Sequence, residues 1–178
     1  MIRASRRAVL GGAVAVPTLS GLAAWRWRHG EQRVLLHDPA LEAGRRFAAA
    51  ASAQGANPRA IEGDRVRFTR KVLEARPALV AGVSRYADLL LIADVAREAG
   101  YIQAATLHTR MGRCANAECH PGWASLGRLG KAAGAGWAEA LAAYAVDPRG
   151  KAAHGSTGNW FGGSDRGLVL GWVLAPRG

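Results

Sequence analysis

Residues 78–84, Ala-Leu-Val-Ala-Gly-Val-Ser, are apolar at every position before the terminal serine. A strand of this kind has no polar face to turn toward water, so it demands cover on both sides of its sheet. The residues that follow, Arg85–Gly100, repeat their apolar side chains at helical spacing and end on a glycine, the usual left-handed stop. A doubly covered strand feeding directly into a helix is half of a βαβ unit. The same alternation recurs along the chain. Arg33–Pro39 reads as a strand and Ala40–Gly55 as a helix. Pro58–Asp64 reads as a short strand and Arg65–Ala75 as a basic helix stopped by Pro77. Tyr101–Arg110 reads as a strand, and 124–146 as one helix or two, broken around Gly134 and Gly136. Leu168–Pro176 is a closing strand. Four rounds of strand and helix predict an α/β fold, a single three-layer domain with a mostly parallel sheet and right-handed crossovers. The rival is an α+β fold in which the last strand pairs antiparallel at an edge.

The chain has 178 residues, enough for one domain with a real core and too few for two. Residues 1–30 read separately, as a signal peptide or membrane anchor, which leaves 31–178 as the single α/β domain. Three arginines precede an apolar run from Ala8 to Trp25, and Arg26 and Arg28 follow it. The stretch Ser5-Arg6-Arg7-Ala8-Val9-Leu10 resembles a twin-arginine export signal, with its paired arginines and a weakly apolar run rich in Gly and Ala. An ordinary secretory signal is one alternative. A retained anchor helix is another, with Trp25 and Trp27 at the interface, although the run sits at the lower limit for a span. The resemblance implies a periplasmic or exported protein. Passengers of that route are often redox enzymes or the subunits that travel with them, so it also implies an accessory protein of a redox complex.

In open parallel sheets, ligands bind beyond the carboxyl ends of the strands. That rule selects His37-Asp38, Glu62-Gly63-Asp64, Ser84-Arg85 and His108-Thr109-Arg110, with the cysteine segment expected on the same edge. Ser84, Arg85 and Arg110 are the candidate ligand-binding residues, because helix-start amides and guanidinium groups bind anions. Ser84 also reads as a simple helix cap. Asp38 and His108 are the catalytic candidates for a hydrolase or transferase, helped by Ser84 or His120, and Asp38 reads equally well as a cap for the helix after Pro39. His37 and His108 could pair across the edge. There is no nucleophile elbow, P-loop or dinucleotide fingerprint, and the Gly-rich 154–167 lacks the lysine of a phosphate loop.

The only cysteines, Cys114 and Cys119, are followed by His120. Their C-x4-C-H spacing resembles a rare variant of the c-type haem attachment motif, with Met111, His108 or His154 as a sixth ligand. Zinc held by Cys114, Cys119, His120 and another histidine is a second alternative, at the loose end of zinc spacing. A cysteine nucleophile beside His120 is a third. The reading taken is a Cys114–Cys119 disulfide with no cofactor and no metal. An exported chain oxidises its cysteines, and the intervening Ala-Asn-Ala is flexible enough to close so short a loop.

Lysine and arginine number 24 against 13 acids, a net charge of +11 carried mostly by arginine. The arginines are scattered among acids without an aromatic stripe, which argues against nucleic acid and fits solvated helix faces. The expected partner is a polar or anionic small molecule, or another subunit of an exported complex. Membrane association would run through the N-terminal segment alone.

Overall fold

The computed structural model describes residues 32–147 and 165–177, so the leader, His154 and most of the Gly-rich segment lie outside it. Within these limits the chain runs β1 (Arg33–His37), α1 (Glu42–Ser52), β2 (Arg59–Ala60), α2 (Arg65–Leu73), β3 (Leu79–Arg85), α3 (Tyr86–Glu98), β4 (Tyr101–Arg110) and β5 (Arg113–Cys119). A 3₁₀ turn leads into α4 (Ala124–Ala133), a second one (Gly134–Gly136) into α5 (Trp137–Val146), and β6 (Val169–Pro176) closes the fold. Among the described residues, no helix is long and apolar enough to cross a membrane.

The six strands form one sheet in the order β2-β1-β3-β6-β4-β5. β1 pairs in parallel with β2 and β3, whereas β6 pairs antiparallel with both β3 and β4, and β5 antiparallel with β4. The sheet is therefore mixed rather than mostly parallel. β1 to β4 all point one way because β6, reversed, lies between β3 and β4. The closing strand is antiparallel, as the α+β rival expects, yet it is central and not at an edge. Its composition explains the position. Val169, Val173 and Ala175 enter one core cluster while Leu170, Trp172 and Leu174 enter the other. A strand with no solvated face is stable only between neighbours and layers.

Helices cover both faces, giving the three layers expected. Phe47 of α1, Leu126 of α4 and Trp137 and Leu141 of α5 pack on one side. Val72 and Leu73 of α2 and Leu89, Ile92 and Val95 of α3 pack on the other. Arg46 of α1 ties the first layer together through Nε and Nη2, each 2.7 Å from a carboxylate oxygen of Glu139 on α5. Opposite it, Arg65 Nε of α2 meets Asp88 Oδ1 of α3 at 2.7 Å.

The cysteine segment is a strand, not a loop. Met111 and Gly112 both take positive φ, 50° and 72°. That is the backbone of a tight two-residue hairpin, which sends β5 back along β4. Register runs from Arg110 opposite Arg113 to Ala105 opposite Cys119, with Ala115 left over as a bulge between Cys114 and Asn116. The cysteines face Thr109 and Ala105, so at about 3.3 Å of rise per residue along β4 their Cα atoms stand roughly 13 Å apart. A disulfide requires about 4.4–6.8 Å. Both thiols are free, and the expected disulfide is not formed.

Candidate functional site

The carboxyl ends of β1, β3 and β4 share one edge, with the start of β6 among them. Asp38 stands immediately after β1 and is held there by its backbone. Its N–H donates to Val83 O of β3 at 2.9 Å, and its C=O accepts from Leu41 N at 3.2 Å. Helix α1 approaches so closely that a Cβ on Gly44 would lie 2.2 Å from Asp38 O. The residue is only 4% exposed. Oδ1 accepts the Ala40 N–H at 2.9 Å, while Oδ2 is buried with no hydrogen-bond partner. The nearest cation to Oδ2 is Arg85 Nη1 at 3.6 Å, from a side chain about half exposed. That separation gives charge attraction without a hydrogen bond.

Asp38 does not cap α1. That role belongs to Asp165, just before β6, whose Oδ1 and Oδ2 accept the Glu42 and Ala43 N–H groups at 2.7 and 3.0 Å. Leu41, at the cap position itself, supplies no side-chain bond. Asp165 is the site residue that sequence reading does not find. Nothing local marks a carboxylate 123 positions away as the cap of α1.

His37 ends β1, and its Nδ1 is also buried without a hydrogen-bond partner. Burial pushes its pKa below the ordinary 6.5, partly opposed by the charges of Asp38 and Glu62. The imidazole is therefore neutral at physiological pH. His108, near the end of β4, carries a third such atom, Nε2, which lies 3.4 Å from Glu118 Oε1 across the hairpin. β3 and β6 intervene between β1 and β4. Three strand spacings put His108 about 14 Å from the His37–Asp38 position. A His37–His108 pair is not assembled, and neither is an Asp38–His108 dyad.

Ser84 is a structural residue. It is fully buried, accepts the Trp172 indole N–H at 2.9 Å and donates to Arg85 O at 3.1 Å. Arg85, not Ser84, occupies the cap position of α3, and it makes no side-chain cap. Arg110 is exposed at the end of β4, separated from Arg85 by β6, so about 10 Å lies between their strands. Asp64 accepts the Arg67 N–H at 2.9 Å and caps α2, and that backbone bond holds its carboxyl below the usual range. A shallow groove along the outer face of α2 mixes Arg67, Arg70 and Lys71 with Asp64 and Glu74. This pattern fits a solvated helix face.

The cysteines are divided between the two ends of the sheet. Cys114 starts β5 on the strand-end edge, but β5 carries Cys119 and His120 to the opposite edge, where His120 N donates to Ala104 O at 2.9 Å. The Ala115 bulge restores side-chain parity, so both thiols face α4. There, a Cβ on Gly127 would lie 3.0 Å from Cys119 Sγ, and one on Gly130 would lie 3.5 Å from Cys114 Sγ. Burial raises the pKa of both thiols, the reverse of what an activated nucleophile needs. Among the described residues, no group of three or more His, Cys, Asp or Glu side chains could hold a metal ion. The proposed haem and zinc ligands Cys114, Cys119 and His120 are accordingly not brought to one point.

No protein-family model matches the chain, no curated protein matches its sequence, and no solved structure matches its fold.

Proposed function

We propose that this chain is an exported binding or accessory protein that takes a polar ligand, or a polar group of a partner subunit, at the edge around His37, Asp38 and Arg85. One observation carries the reading. Among the described residues, the buried side-chain atoms without a hydrogen-bond partner are His37 Nδ1, Asp38 Oδ2 and His108 Nε2, and all three belong to residues at or near strand carboxyl ends. Leaving such an atom unpaired costs about 1–3 kcal/mol. Elsewhere among the described residues, buried polar side chains have partners, including Ser84 with Trp172 and Tyr101 with Pro77 O. His37 Nδ1 and Asp38 Oδ2, on adjacent residues at an edge where α/β sheets bind ligands, mark a site whose partner comes from outside, whereas His108 Nε2 stands apart beside Glu118. Export rests on the Arg6-Arg7 leader, and the accessory role on what such a leader implies.

Ligand screening by protein-observed NMR tests the site. Small polar compounds are expected to shift the amides of His37–Ala40 and Val83–Tyr86; shifts confined to other regions refute this placement. Intact mass of the protein from a periplasmic fraction tests export, with loss of the leader near Ala23 or Ala24 as the expected result.

A further inference from the structure

Building on that site, we infer that its ligand is a zwitterionic α-amino acid, bound through its ammonium to Asp38 and through its carboxylate to Arg85. The inference rests on the proposed function and narrows it to a chemical class. Asp38 has a buried carboxylate oxygen with no donor, and Arg85 Nη1 lies 3.6 Å from it. Arg85 is half exposed on a long flexible stem, so its guanidinium can turn from Oδ2 toward a ligand carboxylate.

The signs of the surrounding charges select the ligand. A simple anion drawn to Arg85 would meet the Asp38 carboxylate, and a simple amine drawn to Asp38 would meet the guanidinium. A molecule with both charges on one carbon compensates both groups together, and its carboxylate suits the bidentate fork of arginine. The amides at the start of α1 are filled by Asp165 through both of its oxygens, whereas α3 begins just after Arg85 with no side-chain cap. The negative end is therefore received at the start of α3, by the Arg85 guanidinium. Beside them, His37 is kept neutral by burial and adds no charge to unbalance the pair.

The test is isothermal titration of the purified full-length chain with the common L-amino acids one at a time, and with L-lactate, propionate and ethylamine. At least one amino acid is expected to bind, with lactate, propionate and ethylamine each weaker by about tenfold or more. Arg85→Gln should weaken the amino acid by a similar factor. Asp38→Asn should do the same, and Arg85→Gln supplies the answer if that buried substitution does not fold. Lactate or propionate binding as tightly as every amino acid, with loss in Arg85→Gln, overturns the zwitterion and leaves the polar-ligand site standing. Amino-acid binding that is unchanged in both variants overturns the placement.

Discussion

Substituting Gly44 by alanine separates the site's architecture from ordinary helix preference. In an exposed helix interior, glycine to alanine stabilises by about 1 kcal/mol. Gly44 lies in α1, and a Cβ there would stand 2.2 Å from the carbonyl oxygen of Asp38 and 3.3 Å from its nitrogen. The obstacle is backbone, and that backbone is tied to Val83 O and Leu41 N, so it cannot rotate aside as a side chain would. Relief requires α1 to lift by roughly 1 Å, which also strains the Asp165 cap. Overpacking of this kind costs about 1–3 kcal/mol, and more where backbone must move. With the propensity gain subtracted, the net destabilisation should be about 2 kcal/mol. For a chain of this size that lowers Tm by about 4–8 °C. Urea unfolding followed by tryptophan fluorescence would measure it. Gly136→Ala is the control, because no heavy atom lies within 4 Å of the added Cβ and its φ of −83° suits any residue. If Gly44→Ala is as stable as wild type, the close approach of α1 to Asp38 is not real and the site geometry built on it fails.

Three other outcomes are expected. Asp165→Ala should destabilise by about 1 kcal/mol in the same assay, the usual cost of a lost helix cap, and no loss would mean that Asp165 does not cap α1. Burial lowers the folded-state pKa of His37 below 6.5. The unfolded chain therefore binds the proton first, so this contribution is complete above about pH 6.5 and is lost as pH falls below it. Thermal denaturation between pH 8 and 5 should show wild type losing stability more steeply than His37→Gln; parallel curves would refute the assignment. The two thiols, finally, should react slowly with an aromatic disulfide reagent in the native protein and quickly in guanidinium without reductant. A native mass two units below the reduced chain would contradict the free cysteines.

The alternation of buried runs and amphipathic helices was legible because it depends on neighbours in sequence. Leu79–Arg85, Tyr86–Glu98 and Tyr101–Arg110 fall within a residue or two of where periodicity puts them, and Asp38 and Arg85 were reached through the strand-end rule. What it could not show was partnership between distant elements. Val169–Pro176 announces itself as a strand buried on both faces, yet only packing decides that it enters reversed between β3 and β4. That insertion is what drives Asp38 and His108 apart. The cysteine segment misled for a local reason. Arg-Cys-Ala-Asn-Ala-Glu-Cys has little β-branched character, and Met111-Gly112 does not resemble the usual Asn-Gly hairpin turn. Its strand is imposed by pairing with β4 and by the seat that Gly127 and Gly130 offer the thiols.

The sequence by itself therefore determined the layers, the order of elements apart from β5, and the residues at the strand ends. These follow from period, burial and chain direction, which a linear pattern encodes. Only the tertiary structure decided which strand ends meet, that Asp165 caps α1 and that Ser84 serves Trp172. It alone showed Asp38 Oδ2 buried without a donor beside Arg85. Those outcomes depend on contacts between residues far apart in the chain, and no local pattern records them.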